Sequence, residues 1–360
     1  MRLRPPLRTG GLGPLLLAVL CGPMGACAPV EPEPQVERLL YTFRGSTMGT
    51  YYVVKVVRPV EEALDDPAQE DLLGRIEERL EGVNRRMSTY LEESELSRLN
   101  AHLSTDPFPL SAATFEVVSA AVELGKLTGG ALDPTVGPLV NAYGFGPGVG
   151  GEAVARPSPE ELAALRQRVG LHLLELDPPG SRVSKLAPEL YVDLSSLAKG
   201  YAVDQVANTL VAEGFGSIMV EVGGEVRTAG VNLSGGPWRV GIERPADGGG
   251  DVQRIVSLQG LAMATSGDYR NYREEQGVRI SHIIDPRSGR PVDHRLASVT
   301  VVDRTCMRAD ALATALMVMG PEDGLAWAEE QELAALFLVR EGDGFTERAT
   351  TLFQEQLADT

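Results

Sequence analysis

Apolar residues at helical spacing mark several segments of this chain. In the segment near 68–87 they follow one another at intervals of four, four, three and four positions: Leu72, Ile76, Leu80, Val83 and Met87. This spacing puts the apolar side chains on one face of a helix and the Glu- and Arg-rich remainder on a solvated face. Capping residues and glycine stops predict further helices: 111–127 after Ser111, one opened by Ser158 and Pro159, 196–213 before Gly214, 308–319 before Gly320, and one from Pro321.

Alternation of apolar and polar residues predicts the strands. Residues 46–57 alternate, with Thr50, Tyr52, Val54 and Val56 on one face. Shorter strands are predicted at 217–222, 238–243, 252–258, 261–265 and 298–302, and a last one at 334–339. Because the strands from 217 to 302 succeed one another without helices between them, the pattern favours an antiparallel α+β architecture over repeated βαβ units.

The N-terminus has the layout of a secretory signal. Three arginines within the first eight residues precede a mostly apolar stretch, 12–20, which is short for a bilayer span. Small residues then precede Cys27. We interpret residues 1–26 as a lipoprotein signal peptide, cleaved before a Cys27 whose thiol receives lipid. The alternative is plain secretion, with Cys27 incidental.

The chain after the signal divides into a tether and a domain. Residues 27–37 are rich in proline, which predicts an extended tether. Residues 38–357 are predicted to form a single domain. If Cys27 carries lipid, Cys306 is the only thiol left in the mature chain, so an intramolecular disulfide and a thiolate zinc site are excluded. A metal ion must then be held by oxygen or histidine.

Composition and charge narrow the function classes. The 360 residues are 43% hydrophobic and 23% charged, as in an ordinary globular protein. There are 50 acidic and 33 basic residues, giving a net charge of −17. This balance argues against a nucleic-acid partner, which requires a basic surface, and against electrostatic binding to anionic lipid.

Asp310 and Thr314 are the first candidates for chemistry. They are four residues apart on a predicted helix, so both oxygens project from one face. Mg²⁺ prefers oxygen ligands and keeps several waters, and an Asp with a Thr hydroxyl forms part of such a site. The alternative is that Asp310 only stabilises the helix dipole from the first turn.

The segment 191–201 predicts a strand, a turn of small residues and the start of a helix. Backbone groups at such a turn bind phosphate or metal, and Lys199 is suited to neutralise phosphate oxygens. The alternative is a capped helix start with a surface lysine. Ser196 and Lys199 also match the Ser-x-x-Lys pair of penicillin-binding proteins. Those enzymes need further elements: no Ser-Asp-Asn occurs here, and the Lys-Thr-Gly-like stretch 126–129 has an insertion.

His282 is the best candidate for a general base among the four histidines. It stands just before the turn Asp285–Gly289, at the end of a predicted strand. Turn chemistry alone accounts for the residues of this turn.

Glycine-rich stretches supply three further candidates. The stretch 129–139 favours close approach of the backbone to a ligand, or a rigid connector, and Glu221–Glu225 is a similar turn at a strand end. The run Gly146–Gly151 formally matches a dinucleotide fingerprint. Proline and polar residues follow it rather than a helix, so we interpret it as a loop.

Taken together and in order, these motifs resemble the ApbE family of FAD:protein FMN transferases. The matching stretches are Gly45–Thr50, Met87–Tyr90, Ser94–Asn100, Gly130–Pro138, Asp193–Tyr201, Ser281–Pro286 and Ala309–Thr314. They extend over nearly the whole mature chain. The resemblance implies a two-lobed α+β fold in which helices pack against mostly antiparallel sheets.

The resemblance also implies a function. Members of the family bind FAD and Mg²⁺ and transfer the FMN moiety to a Ser or Thr hydroxyl of an acceptor protein, releasing AMP. The expected acceptor is a membrane redox subunit with a short flavinylation motif. The expected location is the periplasmic face of a bacterial membrane, with Cys27 as the lipid anchor. The inner membrane is favoured over the outer one. The alternatives are a periplasmic lipoprotein that binds FAD without catalysis or hydrolyses it.

Site residues are implied by the same resemblance. The expected metal ligands are Asp310, Thr314 and the backbone carbonyl of Ser196. The expected FAD contacts are Met48, Tyr90, Ala131, Leu132, Asp133, Asp193, Lys199 and Ile284. His282 or the nearby Asp285 is expected to take the proton from the acceptor hydroxyl.

Overall fold

A computed structural model of the chain describes residues 37–146, 156–245, 250–269, 272–275 and 278–357. The helices in these ranges are α1 Asp66–Met87, α2 Glu95–Ala101, α3 Ala112–Leu127, α4 Gly137–Ala142, α5 Pro159–Arg166, α6 Ala198–Ala212, α7 Cys306–Met319, α8 Pro321–Glu330 and α9 Thr351–Leu357. The strands are β1 Arg38–Thr47, β2 Thr50–Pro59, β3 Phe108–Pro109, β4 Leu174–Asp177, β5 Arg182–Lys185, β6 Ile218–Val222, β7 Glu225–Ala229, β8 Trp238–Glu243, β9 Val252–Leu258, β10 Ala262–Gly267, β11 Tyr272–Glu275, β12 Val278–Ser281, β13 Ile284–Asp285, β14 Arg290–Pro291, β15 Leu296–Asp303, β16 Ala334–Glu341 and β17 Gly344–Ala349. Short 3₁₀ segments lie at Val60–Glu62, Leu171–Leu173 and Pro178–Gly180.

One large antiparallel sheet organises the fold. Its strand order in the described residues is β1-β2-β6-β7-β10-β15-β16-β17. Each neighbouring pair runs antiparallel, as in the pairing of Tyr52 with Val222 and of Met263 with Val226. Smaller antiparallel sheets are formed by β3-β5-β4, β8-β9, β11-β12 and β13-β14. The predicted α+β fold with mostly antiparallel sheets is therefore confirmed.

Side chains alternate between the two faces of the large sheet, as strand geometry requires. Val54 of β2 and Val220 of β6 belong to a core that they share with α6 and α7. Met219 of β6 and Val226 of β7 belong to a second core, which includes Trp238 of the β8–β9 hairpin. The sheet thus separates the α6 and α7 helices from the β8–β9 hairpin.

Helices α6 and α7 approach each other closely because position 200 is a glycine. A Cβ at Gly200 would lie 2.4 Å from the carbonyl oxygen of Cys306. Asp204 of α6 accepts hydrogen bonds from the backbone amides of Cys306 and Met307, at 3.0 and 2.9 Å, and pairs with Arg227 of β7 at 2.8 Å. These contacts fix the start of α7 against α6 and β7.

The predicted helices are found, and their caps are those that the sequence indicates. Ser111 accepts from the Thr114 amide at the start of α3. Ser158 and Glu161 form a capping box at the start of α5, with Pro159 in the first turn. The predicted helix 196–213 begins two residues later, at Ala198.

The prediction of one strand over 46–57 is wrong. Met48 and Gly49, with φ of 48° and 74°, form a left-handed turn that separates β1 from β2. Apolar and polar residues alternate in both strands of this hairpin, so the alternation in the sequence is not interrupted at the turn. The buried face of β2, from Tyr52 to Val56, is as predicted.

The prediction that the last strand ends at 339 is also wrong. Strand β16 extends to Glu341, and β17 and α9 follow it. Strand β17 lies at the edge of the sheet and none of its residues is buried, so it has no apolar alternation to detect. The predicted signal peptide, most of the tether and the loop at 146–151 beyond Gly146 lie outside the described residues. Among the described residues, no helix combines the length and apolar content that a membrane span requires.

Candidate active site

A cavity of about 400 Å³ lies on the helical side of the large sheet. One wall is formed by α6, α7, β7 and β10, and the other by the segments around 131–145, 193–196 and 282–286. The cavity brings together most of the predicted site residues: Tyr90, Ala131, Leu132, Asp133, Asp193, Ser196, Lys199, His282, Ile284, Asp310 and Thr314. Residues that are more than 200 positions apart in the chain therefore line one space.

Lys199 lies between two buried carboxylates at the base of this cavity. Its ammonium nitrogen is 3.2 Å from Glu225 Oε1 and 3.5 Å from Asp310 Oδ2. The second interaction follows from the α6–α7 contact, because the Gly200 amide also donates to Asp310 Oδ2, at 3.1 Å. One ammonium group thus faces two buried carboxyl groups.

Burial and pairing shift the protonation equilibria of this cluster. Burial raises the pKa of Glu225 to about 8, although the Lys199 ammonium opposes the shift. Burial likewise raises the pKa of Asp310, opposed by Lys199 and by the Gly200 amide. Burial alone would lower the pKa of Lys199, but the Asp310 and Glu225 carboxylates raise it above its ordinary value. The lysine therefore stays charged at neutral pH.

This charge state argues against the Ser196–Lys199 pair as nucleophile and base. A lysine that activates a serine must be a neutral amine, and such lysines have lowered pKa values. The Lys199 pKa is shifted in the opposite direction. A charged lysine is suited to hold anionic oxygens instead.

Hydroxyl oxygens surround the Asp310 side of the cavity. Thr314 lies one helical turn after Asp310, and its Oγ1 is 3.0 Å from the Ser266 Oγ of β10. Ser196 lines the same cavity just before α6 begins. A carboxylate, two hydroxyls and the turn at Ser196 thus offer oxygen donors to a common space.

The side chains of Asp133 and Asp193 accept hydrogen bonds within the turns that contain them. Asp133 Oδ1 accepts from the Thr135 amide at 2.8 Å and from its hydroxyl at 2.6 Å. Asp193 accepts from the Ser195 amide at 2.8 Å, and its own amide donates to the Pro134 carbonyl at 2.7 Å. Burial raises the pKa of Asp133, and the Thr135 hydrogen bonds oppose it. These residues hold the cavity wall in shape.

Aromatic rings lie along the open side of the cavity. The ring centroids of Phe145 and His282 are 6.2 Å apart and the rings are inclined at 66°, and the Arg273 guanidinium carbon lies over the Phe145 ring, 5.6 Å from its centroid. Tyr90 is 70% exposed at the cavity edge. Aromatic rings along a cavity suit a planar heteroaromatic ligand.

Two predicted residues do not line the cavity. Asp285 pairs with Arg287 at 2.9 Å and accepts from the Arg287 amide within its own turn. Met48 occupies the β1–β2 turn with positive φ and packs against the large core. Their roles in proton transfer and in FAD binding stay predictions.

Glu225, Ser266 and Tyr269 also line the cavity, although the sequence alone predicts no specific role for them. The turn that ends at Glu225 is visible as a Gly-Gly pair after an apolar run. That Glu225 faces Lys199 depends on the β6–β7 register and on α6 crossing that face of the sheet. Neither the strand register nor the helix packing can be predicted from a local sequence pattern.

Comparison with known proteins gives consistent results. A family model described as the ApbE family matches residues 48–337 of this chain. The FAD:protein FMN transferase of Vibrio cholerae serotype O1 is 49% identical over 314 residues, which cover 87% of this chain and 92% of that protein. The FAD:protein FMN transferase of Escherichia coli K12 is 40% identical over 332 residues, covering 92% of this chain and 93% of that protein.

Solved structures agree with these sequence matches. The flavin transferase ApbE from Vibrio cholerae has a TM-score of 0.80 at 47% identity, with 89% of this chain and 100% of that chain covered. The flavinyl transferase ApbE from Pseudomonas stutzeri, in its apo form, has a TM-score of 0.80 at 41% identity, with 90% and 98% covered.

Proposed function

Because this chain belongs to the ApbE family, we propose that it is an FAD:protein FMN transferase, which moves the FMN moiety of FAD onto a Ser or Thr hydroxyl of an acceptor protein. The observation that carries this proposal is the Lys199–Glu225–Asp310 cluster at the base of a cavity edged by aromatic rings. Such a cavity suits a flavin at its rim and a pyrophosphate at its base.

The bond changes define what the residues must do. The acceptor oxygen forms a bond to the phosphorus of the FMN half. The bond between that phosphorus and the bridging oxygen of the pyrophosphate breaks, and AMP leaves with the electron pair. The hydroxyl proton passes to a base, for which we propose His282, since it lines the cavity whereas Asp285 pairs with Arg287. Base catalysis of this kind is worth about 10²–10⁴-fold.

Lys199 is proposed to hold the pyrophosphate. Its ammonium is fixed by two carboxylates, so little side-chain entropy is lost when a phosphate oxygen approaches. Positioning and electrostatic stabilisation supply most of the catalysis in phosphoryl transfer. The net negative chain relies on such local contacts to capture an anionic substrate.

We further propose a Mg²⁺ site formed by Asp310, the Thr314 hydroxyl and the Ser196 carbonyl. The chemistry of the cavity fits this ion: two buried carboxylates share one ammonium, and in the described part of the chain the buried Glu225 Oε2 has no hydrogen-bond partner. The described residues contain no group of three or more His, Cys, Asp or Glu arranged for a metal ion. The site would therefore depend on hydroxyl and carbonyl oxygens and water, which Mg²⁺ accepts. When bound, Mg²⁺ supplies positive charge that offsets the negative charge growing on the leaving phosphate.

The N-terminal sequence supports a proposal for the location of the protein. We propose that Cys27 is lipidated and anchors the chain at the periplasmic face of the inner membrane. If the predicted tether, 27–37, is extended, its eleven residues would reach about 30 Å at roughly 3 Å per residue. This reach suits an acceptor that is itself a membrane redox subunit.

The test is direct transfer to an acceptor. Purified protein is mixed with FAD, Mg²⁺ and an acceptor domain carrying a Ser/Thr flavinylation motif, and intact-mass spectrometry detects an FMN adduct on the acceptor. Asp310→Ala is expected to abolish the adduct, whereas Asp343→Ala, in the exposed turn after β16, is expected to keep it. AMP release without an adduct would indicate an FAD hydrolase. Retained FAD with neither product would indicate a binding protein and overturn the proposal.

A further inference from the structure

Helix α2 lies outside the cavity that is proposed to hold FAD, here called the flavin cavity. None of its seven residues, all of which the structure describes, lines that cavity. With its cap, the helix nevertheless forms one of the stretches that resemble the ApbE family, Ser94–Asn100. Its two leucines are buried in the large core, which accounts for the packing of the helix. Packing does not account for the polar residues Ser94, Ser97 and Asn100.

The Asn100 side chain holds the backbone of Val192 with two hydrogen bonds. Its amide nitrogen donates to the Val192 carbonyl at 2.9 Å, and its Oδ1 accepts from the Val192 amide at 2.7 Å. Val192 is fully buried and lies in a segment that is neither strand nor helix, 190–197. A buried peptide group outside a sheet or helix needs another partner, because leaving it unpaired costs free energy. Asn100 therefore takes the place of a neighbouring strand beside Val192.

The turn that follows Val192 forms part of the wall of the flavin cavity. Asp193 and Ser196 both line the cavity. The Asp193 amide donates to the Pro134 carbonyl at 2.7 Å, which joins this turn to the wall segment around 131–145. The two peptide groups at the start of the turn are thus held by Asn100 and by Pro134. Moving Val192 would move the turn, because the two are consecutive in the chain.

The first turn of α2 contacts another part of the same wall. The hydroxyls of Ser94 and Ser97 both donate to the Ser88 carbonyl, at 2.5 and 3.2 Å. Ser88 directly precedes the Thr89–Tyr90 segment, which lines the flavin cavity. One short helix therefore holds two wall segments that are far apart in the chain, and it does so through polar side chains that bind backbone groups.

We propose that α2 is a positioning element of the flavin cavity, in which Asn100 places the Asp193–Ser196 turn for the binding of FAD. This inference rests on the proposed function, because it assigns to Asn100 an effect on FAD that passes through the turn. Both of its hydrogen bonds go to the main chain, so the effect travels along the backbone from Val192 to the turn. The proposal accounts for the polar residues of α2, which packing leaves unexplained.

The experiment compares the FAD affinity of full-chain variants. Asn100→Leu keeps the approximate size of the side chain and removes both hydrogen bonds. Val256→Ala, in the core on the other side of the large sheet, is the control for a general loss of stability. Binding is measured by flavin fluorescence, without acceptor and with a chelator, at a temperature at which circular dichroism shows each variant to be folded. We expect Asn100→Leu to raise the Kd for FAD at least about tenfold and Val256→Ala to change it by less than about twofold.

A double-mutant cycle tests whether the effect passes through the turn. In an Asp193→Ala background, Asn100→Leu should raise the Kd for FAD by less than about threefold, whereas independent effects would multiply. Multiplying effects, an unchanged Kd in Asn100→Leu, or an equal loss in Val256→Ala would each overturn the positioning role and leave the transferase proposal standing. An unaltered protein that binds FAD but forms no FMN adduct would overturn only the transferase proposal. An unaltered protein that binds no FAD would overturn both.

Discussion

Lys199 Nζ lies 3.2 Å from Glu225 Oε1 and 3.5 Å from Asp310 Oδ2, so a single ammonium separates two buried carboxylates. The three residues come from α6, β7 and α7, and the close α6–α7 contact at Gly200 brings the first and the last together. The cluster therefore links the packing of the fold to the chemistry of the cavity. Substitutions in the α6–α7 contact or in the cluster should therefore change both the stability and the activity of the protein.

Replacing Lys199 by Met should lower both the stability of the protein and its FMN transfer activity. Two buried carboxylates would remain without their cation, and removing one partner of a buried ion pair typically costs about 3–5 kcal/mol. Urea unfolding should show a loss of about 3 kcal/mol, and FMN transfer should fall below detection. Lys126→Met, at an exposed lysine of α3, is the matched control and should leave both unchanged. A Lys199→Met protein of ordinary stability would contradict the ion-pair geometry.

Glu225 should make the protein less stable as the pH rises. Its pKa in the folded protein is about 8, against an ordinary value of 4.5, so the folded state binds this proton more tightly than the unfolded state. The resulting stabilisation is fully present below pH 4.5 and is lost as the pH rises to about 8. Glu225→Gln removes this titration, so its stability relative to the unaltered protein should increase between pH 5 and pH 9.

The measurement is urea unfolding at pH 5, 7 and 9 in the presence of a chelator. The expected gain of the Gln variant is on the order of 2 kcal/mol over this range. Glu175→Gln, at an exposed position of β4, should show the same pH dependence of stability as the unaltered protein. A parallel pH dependence for Glu225→Gln would mean that Glu225 is ionised at all three pH values.

The sequence predicts the local parts of this fold well, because caps and periodicity are local properties. Ser111, Ser158 and the apolar face of α1 occur where their patterns indicate. Strand β17 escapes detection because it is an edge strand without a buried face. The hairpin turn at Met48 escapes because a non-glycine residue occupies a left-handed conformation there.

The candidate site was found only in part for a related reason. Asp310 and Thr314 share one helical face, so their spacing alone joins them. Glu225 joins the same cavity through sheet register and helix packing, which no short motif encodes. The nearness of Asp285 to His282 in sequence suggests a second candidate base, and in the structure the Asp285 side chain pairs with Arg287.

Gly200 should be intolerant of even a methyl group. A Cβ there would lie 2.4 Å from the Cys306 carbonyl oxygen, so α6 and α7 would have to move apart. Gly200→Ala is expected to destabilise the protein by about 1–3 kcal/mol and to lower FMN transfer, since Lys199 would move away from Asp310. Thermal unfolding and the intact-mass assay measure the two effects.

Gly74 provides the matched control. It lies on the exposed side of α1, and a Cβ there would meet nothing within 4 Å. Gly74→Ala should therefore stabilise the protein by about 0.5–1 kcal/mol, because alanine favours a helix interior over glycine. Opposite signs for the two Gly→Ala changes are expected; equal signs would rule out the α6–α7 contact as the cause.

Thr314 should govern the affinity for Mg²⁺ rather than the affinity for FAD. Thr314→Val keeps the shape of the side chain and removes the hydroxyl that faces Ser266 at 3.0 Å. The Mg²⁺ concentration for half-maximal transfer should rise by more than about 100-fold, since the loss of only a ligand's hydrogen-bond partner typically costs roughly 10–100-fold. Calorimetric titration with Mg²⁺ measures the Mg²⁺ affinity without turnover.

Two further variants are the controls. Thr314→Ser restores a hydroxyl and should recover most of the Mg²⁺ affinity. Ser266→Ala removes the hydrogen-bond partner of Thr314 but no proposed ligand, so it should have a much smaller effect. Equal losses in Thr314→Val and Ser266→Ala would identify the hydroxyl pair as a structural contact between α7 and β10, and the proposed ligand role of Thr314 would be wrong.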